Sequence, residues 1–183
     1  IDHELGGDYQ FVYDYFGKKT ALAKRDFIGY RDLFFYITEM LNPFIDEKQA
    51  LDWGINKPNG IMLYGPKGSG KIFWATKIAE IIDYEFNEAK ISFINDPKNS
   101  LTNFLTSMMM KNGKKILFIE NFGELSRDRR SETGSSSTNF AAKDLILHTI
   151  HKFVDENLLI IGATEELSDI DSEVFSPGRF DIL

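Results

Sequence analysis

Apolar positions along the chain alternate between blocks of helical and of strand spacing. Leu33, Phe34, Ile37, Met40, Leu41 and Phe44 recur at helical spacing after Asp26-Phe-Ile-Gly29, and Pro43 is expected to end or kink that helix. A second short helix is expected over about 46–53, followed by the turn Gly54-Ile-Asn-Lys-Pro58. Ile61 to Tyr64 read as a buried strand, and Phe73, Ala75, Ile78, Ala79 and Ile82 as the buried stripe of the next helix. Residues 84–93 carry strand signals interrupted by Asn87-Glu-Ala-Lys90. Ser100 ends a run of turn residues from Asn95 and could cap a helix bearing Leu101, Phe104, Leu105 and Met108. Met108 to Met110 read as core filling and helix end, closed by Asn112-Gly113. Ile116 to Ile119 and Leu158 to Ile161 are continuous apolar runs of the kind buried in parallel sheets. Between them, Phe140, Leu145, Leu147, Ile150 and Phe153 suggest a further helix, and a short segment is expected about Ile170 to Phe175. Alternation of this kind predicts an α/β domain with a parallel sheet covered on both faces.

The remaining stretches get plainer readings. Residues 1–25, with the aromatic run Tyr9 to Phe16, are expected to form an arm or linker packed on the domain edge, or a docking segment for a neighbouring subunit. Ser126 to Asn139, containing Arg127, Arg129 and Arg130, reads as a solvated loop, and Lys114-Lys115 as a surface approach to a strand. His148 and His151 have helical spacing but no accompanying carboxylate motif, so they read as surface or packing histidines rather than zinc ligands.

Composition narrows the classes. A chain of 183 residues, 43% hydrophobic, can bury one sizeable core. Net charge of −7 argues against a general nucleic-acid surface, and no direct nucleic-acid partner is expected. The absence of cysteine excludes disulfides, thiolate metal sites and cysteine nucleophiles. There is no apolar run of about 18 residues, which predicts a soluble domain on the cytoplasmic or organelle-matrix side. The chain starts at Ile1, so it is expected to be part of a longer protein, with any membrane link outside it.

The chemistry centres on Gly60-Ile-Met-Leu-Tyr-Gly-Pro-Lys-Gly-Ser-Gly-Lys71. Gly65-x-x-x-x-Gly70-Lys71 between a strand and a helix is a phosphate-cradling loop in all but its last position. Its glycines let consecutive backbone N–H groups face a phosphate, and the helix offers its positive end to the same anion. Gly65, Pro66, Lys67, Gly68, Ser69, Gly70, Lys71 and Ile72 are the candidate nucleotide-binding residues, with Lys71 reaching the β and γ phosphates. The eighth position calls for a magnesium-binding hydroxyl, and here it is Ile72.

Taken with the motifs around it, this loop makes residues 26–183 resemble the AAA family of ATPases. Asp26-Phe-Ile-Gly29 looks like the segment that packs on adenine, which implicates Ile28 and Gly29. Ile116 to Asn121 lies where Walker B belongs, Ile160 to Glu165 where the sensor 1 strand belongs, and Ser176-Pro-Gly-Arg-Phe-Asp181 is similar to the arginine-finger region. The 126–139 loop and the Gly178-Arg-Phe-Asp181 ending lean toward the branch that includes membrane-bound AAA proteases. The resemblance implies a three-layer αβα sandwich with a five-stranded parallel sheet, order 5-1-4-3-2. The helical lid is expected beyond Leu183, with ATP or ADP and Mg2+ as cofactors. The implied partners are other AAA subunits in a homo- or hetero-oligomeric ring, together with a protein substrate.

Position by position, the resemblance also implies lost chemistry. The Walker B aspartate and glutamate, which hold magnesium and polarise water, map to Glu120 and Asn121. Asparagine cannot serve as a general base, and Glu120 is the one metal candidate. The sensor 1 position maps to Glu165, a negative charge near the implied γ phosphate. Of two finger arginines only Arg179 remains, as a candidate trans finger, the other being Ser176. The 95–100 connection carries no aromatic–glycine pair, so nothing in it supports substrate threading. Three readings stay open: a hydrolysis-impaired subunit of an AAA ring, an active motor with atypical catalytic residues, and an interaction module that no longer binds nucleotide.

Overall fold

The computed structural model describes residues 31–89, 101–126, 143–148, 158–168 and 170–183. The expected arm over 1–25, Ile28 and Gly29, most of the 126–139 loop and His151 lie outside the described residues. Two compact units are distinguished, residues 1–57 with 80–82 and residues 58–79 with 83–183.

The first unit contains α1 (Arg31–Met40), α2 (Asn42–Ile45) and α3 (Glu47–Asp52). Phe34, Ile37, Leu41 and Phe44 are buried, as their spacing predicts. Pro43 sits in the first turn of α2, where its missing N–H costs nothing, so the chain breaks before it rather than at it. Asp46 caps α3 by accepting the Gln49 N–H at 3.0 Å. Lys57 pairs with Glu47 at 2.9 Å.

The second unit is built on a parallel sheet of β1 (Gly60–Tyr64), β2 (Glu85–Ala89), β3 (Lys115–Ile119) and β4 (Leu158–Thr164), in the order β1-β4-β3-β2. Gly60 stands opposite Ile160, Lys115 opposite Leu158, and Glu85 opposite Lys115. Between the strands run α4 (Lys71–Ile82), α5 (Leu101–Met109), α6 (Phe122–Ser126) and helical residues at 143–148. Every position of β3 and β4 is buried, as befits strands covered on both faces. One core cluster joins Met62, Leu117, Ile119 and Ile160 of the sheet to Leu105, Met108, Phe122, Ile146, Val174 and Phe180.

Several expectations are corrected. The sheet has four strands among the described residues, not five. At the outer edge of β1, Ile182 makes a single parallel bridge to Ile61, because Gly60 C=O accepts from Asp181 and Ile182 while Met62 N–H donates to Ile182. Asn87 to Ala89 belong to β2 and do not interrupt it. Tyr64 and Phe73 are exposed, and Trp74 takes the buried place on α4. Met110 is exposed as well. Lys115 is buried, its ammonium donating to the Lys111 and Gly113 carbonyls, so it serves as a cap for the turn after α5.

Candidate functional site

The loop from Gly65 to Gly70 connects β1 to α4 at the C-terminal edge of the sheet, where open parallel sheets place ligands. Gly68 and Gly70 both have φ +84, a left-handed backbone that a side chain would strain. Ser69 N–H donates to Pro66 C=O at 3.1 Å and tightens the turn. The first turn of α4 has no side-chain cap at Gly70, and Trp74 N–H makes the bond to the Gly70 carbonyl. The amides before Trp74 are therefore the orphan donors of a helix start, the local condition for anion binding. Lys71 Nζ donates to the Gly65 and Pro66 carbonyls at 2.7 and 3.1 Å, which keeps its charge inside the loop. These residues fit a nucleotide phosphate: an uncapped helix start, two left-handed glycines and one ammonium.

The neighbouring strand ends converge on this loop. Gly65 N–H donates to Thr164 C=O at 3.2 Å, continuing the β1–β4 register that pairs Tyr64 with Thr164. Glu165 follows directly and is exposed. Ile119 registers with Gly162, so Glu120 emerges one strand further along the same edge, also exposed. Asn121 lies just beyond with φ +54, a left-handed conformation that asparagine tolerates better than most residues. Ile72 is 46% exposed in the first turn of α4 and offers no oxygen. Among the described residues no three His, Asp or Glu side chains converge as metal ligands. A phosphate-bound magnesium needs only one or two protein oxygens, and of the loop and strand-end positions Ile72 supplies none and Glu120 could supply one.

Arg179 belongs elsewhere. Its backbone carbonyl lies 2.7 Å from where a Gly60 Cβ would be, at the opposite end of β1 from the loop. With about 3.3 Å of rise per residue, the four steps along β1 put roughly 13 Å between its two ends. Its guanidinium is bound to Glu173, 3.1 Å from Oε1 and 2.6 Å from the backbone carbonyl. The motif itself acts as a structural turn. Asp181 accepts N–H bonds from Asn59 and Gly178, both at 2.9 Å, and Phe180 is buried against Phe122 with ring centroids 5.0 Å apart.

Reasoning from sequence missed Glu173, Lys143 and Thr164. Lys143 is 4% exposed and bonds Asp171 at 2.8 Å and Glu173 at 3.3 Å. Burial works against its charge, yet the hydrogen bonds it donates to Asp171 and Glu173, with their negative charges, prevail and raise its pKa. The hydrogen bond from Arg179, followed by that from Lys143, lowers the pKa of Glu173. The lysine's place within the apolar pattern Phe140 to Leu147 was the available signal. Thr164 turns its hydroxyl to the Glu166 carbonyl at 3.0 Å, and the absence of a side chain on Gly123 leaves it room.

The fold and loop define a phosphate-loop NTPase domain of α/β type. A family model for the ATPase family associated with various cellular activities matches residues 61–183, and the chain belongs to this AAA family. It is 25% identical to the ATP-dependent zinc metalloprotease FtsH 2 of Thermoanaerobacter sp. (strain X514), over 90% of this chain and 33% of that protein. It is 29% identical to the proteasome-activating nucleotidase of Thermococcus gammatolerans, over 71% of the chain and 34% of that protein. An AAA ATPase forming ring-shaped complexes from Micrococcus luteus is 26% identical, over 76% and 27%. The chain spans about a third of the length of these curated relatives. No helix among the described residues is long and apolar enough to cross a membrane.

Proposed function

We propose that this domain binds ATP or ADP in the Gly65–Ile72 loop, hydrolyses it poorly if at all, and serves as a structural or regulatory subunit of an AAA ring. The observation that carries the reading is the contrast within one site. The phosphate-holding part is complete, with uncapped amides, left-handed Gly68 and Gly70, and Lys71 turned into the loop. The cleaving part is not. Ile72 supplies no hydroxyl, Asn121 no base, and Glu165 adds a negative charge. Losing one oriented acid–base or electrostatic group costs about two to four orders of magnitude in rate, and two are missing here. The ring role rests on kinship with ring-forming relatives, and the partner would be another AAA subunit.

The adenine-packing role of Ile28 and Gly29 and a trans role for Arg179 form part of the same reading. Arg179 would have to leave Glu173 before reaching a neighbour. Calorimetry with ADP and ATP, paired with phosphate-release assays, tests the proposal. The expected result is nucleotide binding that Lys71→Ala weakens at least tenfold, with turnover at background. Turnover of several per minute, abolished by Lys71→Ala, would establish an active motor instead. No binding at millimolar nucleotide would leave an interaction module.

A further inference from the structure

We infer that the loop selects a nucleoside diphosphate over a nucleoside triphosphate, and that Glu165 is the residue that sets this preference. The inference rests on the proposed nucleotide site and gives it a substrate class. Its basis is how the sheet arranges charge around the loop. Thr164 C=O is bonded to Gly65 N–H at 3.2 Å, which holds the end of β4 beside the first residue of the loop. Glu165, the next residue, is exposed and follows directly on the residue that is bonded to the start of the loop. Lys71 Nζ sits at this same end of the loop, on the Gly65 and Pro66 carbonyls.

A phosphate-loop lysine reaches the outer phosphates, while backbone amides cradle the inner ones. The outermost phosphate of a triphosphate would therefore meet the part of the loop where Lys71 and the β4 end come together. Lys71 brings one positive charge there. Glu165 opposes it, and Glu120 stands at the end of the adjacent strand β3. Arg179, which could offset that charge, is paired with Glu173 at the other end of β1. A diphosphate keeps the amide cradle and places its last phosphate deeper in it. A triphosphate adds about one further negative charge on the rim beside a carboxylate. A like charge at a partly exposed site is worth on the order of tenfold in affinity. Magnesium would relieve this in a site that could hold it. Ile72 removes the hydroxyl that fixes the ion in such loops, so the preference should outlast added magnesium.

The test is displacement of a fluorescent ADP analogue from the purified chain by ADP and by ATP, in EDTA and in millimolar magnesium. The expected result is ADP binding about tenfold tighter than ATP under both conditions. Glu165→Gln should bring the two within about twofold by strengthening ATP, with ADP affinity unchanged. Glu166→Gln is the control: its carboxylate is engaged with Ser168 Oγ at 3.3 Å, and it should leave the ratio as in the parent. Equal affinities in the parent, a ratio untouched by Glu165→Gln, or an equal shift in Glu166→Gln would each overturn the assignment while leaving nucleotide binding intact. Failure of both nucleotides to bind would overturn the nucleotide site and this selectivity together.

Discussion

Arg179 grips Glu173 through two oxygens of different kinds, the carboxylate Oε1 at 3.1 Å and the backbone carbonyl at 2.6 Å. The second oxygen, Oε2, is taken by Lys143 at 3.3 Å. One glutamate thus ties the finger-region turn to the helical residues at 143–148, in which Lys143 is buried.

This pairing has a pH signature. The folded pKa of Glu173 is depressed, by Arg179 first and Lys143 second, so its contribution is present above the ordinary value of 4.5 and is lost as pH falls through the folded value. Glu173 is half exposed, and neutralising it should cost no more than about 1 kcal/mol. In thermal melts the parent should exceed Glu173→Gln by a constant margin near neutrality, and the margin should close below about pH 4.5. A gap that does not narrow as the pH falls below 4.5 would contradict it. Lys143, with its pKa raised, contributes fully below its ordinary 10.5 and loses that contribution only in more alkaline solution.

Lys143→Met should be the more damaging change. It removes the buried ammonium that Asp171 and Glu173 share, leaving Glu173 with Arg179 alone among these cations, at a cost of about 1–3 kcal/mol. Urea denaturation should show a lower midpoint at an unchanged slope. A midpoint equal to the parent's would mean that the ion pairs contribute nothing net.

Gly60→Ala tests the seam between β1 and the finger turn. The new Cβ would lie 2.7 Å from the Arg179 carbonyl oxygen and 3.2 Å from the Phe180 Cα, so backbone has to move. A cost of about 1–3 kcal/mol is expected. Gly123→Ala collides instead with the Thr164 hydroxyl at 2.7 Å, which can rotate away by giving up its bond to Glu166. That loss should be near 1 kcal/mol, and chemical denaturation of the two variants should rank them in this order.

Placing a glutamate at position 121 should not by itself raise turnover. Asn121 has φ +54, and a longer side chain in that conformation costs about 1 kcal/mol, whereas glycine should be tolerated or slightly stabilising. Phosphate release by Asn121→Glu is expected to stay at background while Ile72 remains. A rise of two orders of magnitude from that single change would refute the proposal that the site as a whole is hydrolysis-impaired.

The buried strands and the loop were legible because their signals are local, whereas the strand order came only from the family resemblance and with one strand more than the described residues show. Apolar runs such as Ile116 to Ile119, and glycines at fixed spacing, carry their structure within a few residues. What escaped was set by how the chain turns and packs around a side chain, which residue type alone does not encode. Lys115 looks like a surface charge until the chain ahead of it turns its carbonyls inward. Phe73 and Trp74 are equally apolar, and only the packing around α4 decides which is buried. Arg179 falls at the second finger position of the resembling motif, whose first position is Ser176. Its tie to Glu173 needed the turn between them, and that turn depends on Asp181 bonding back to Asn59.

That last bond spans 122 residues of chain. The β1–β4 pairing that carries Gly65 N–H to Thr164 is similarly remote, so neither edge of β1 can be completed by its neighbours in sequence. Loop closure over such distances is the slow part of forming parallel sheets. A nascent chain would carry the whole Gly65–Lys71 signature long before it had a finished phosphate loop. On the proposed reading, the competence to hold a nucleotide would therefore be acquired late in folding, when β4 slots in beside β1, and ligand added during refolding should act after that step and not before it.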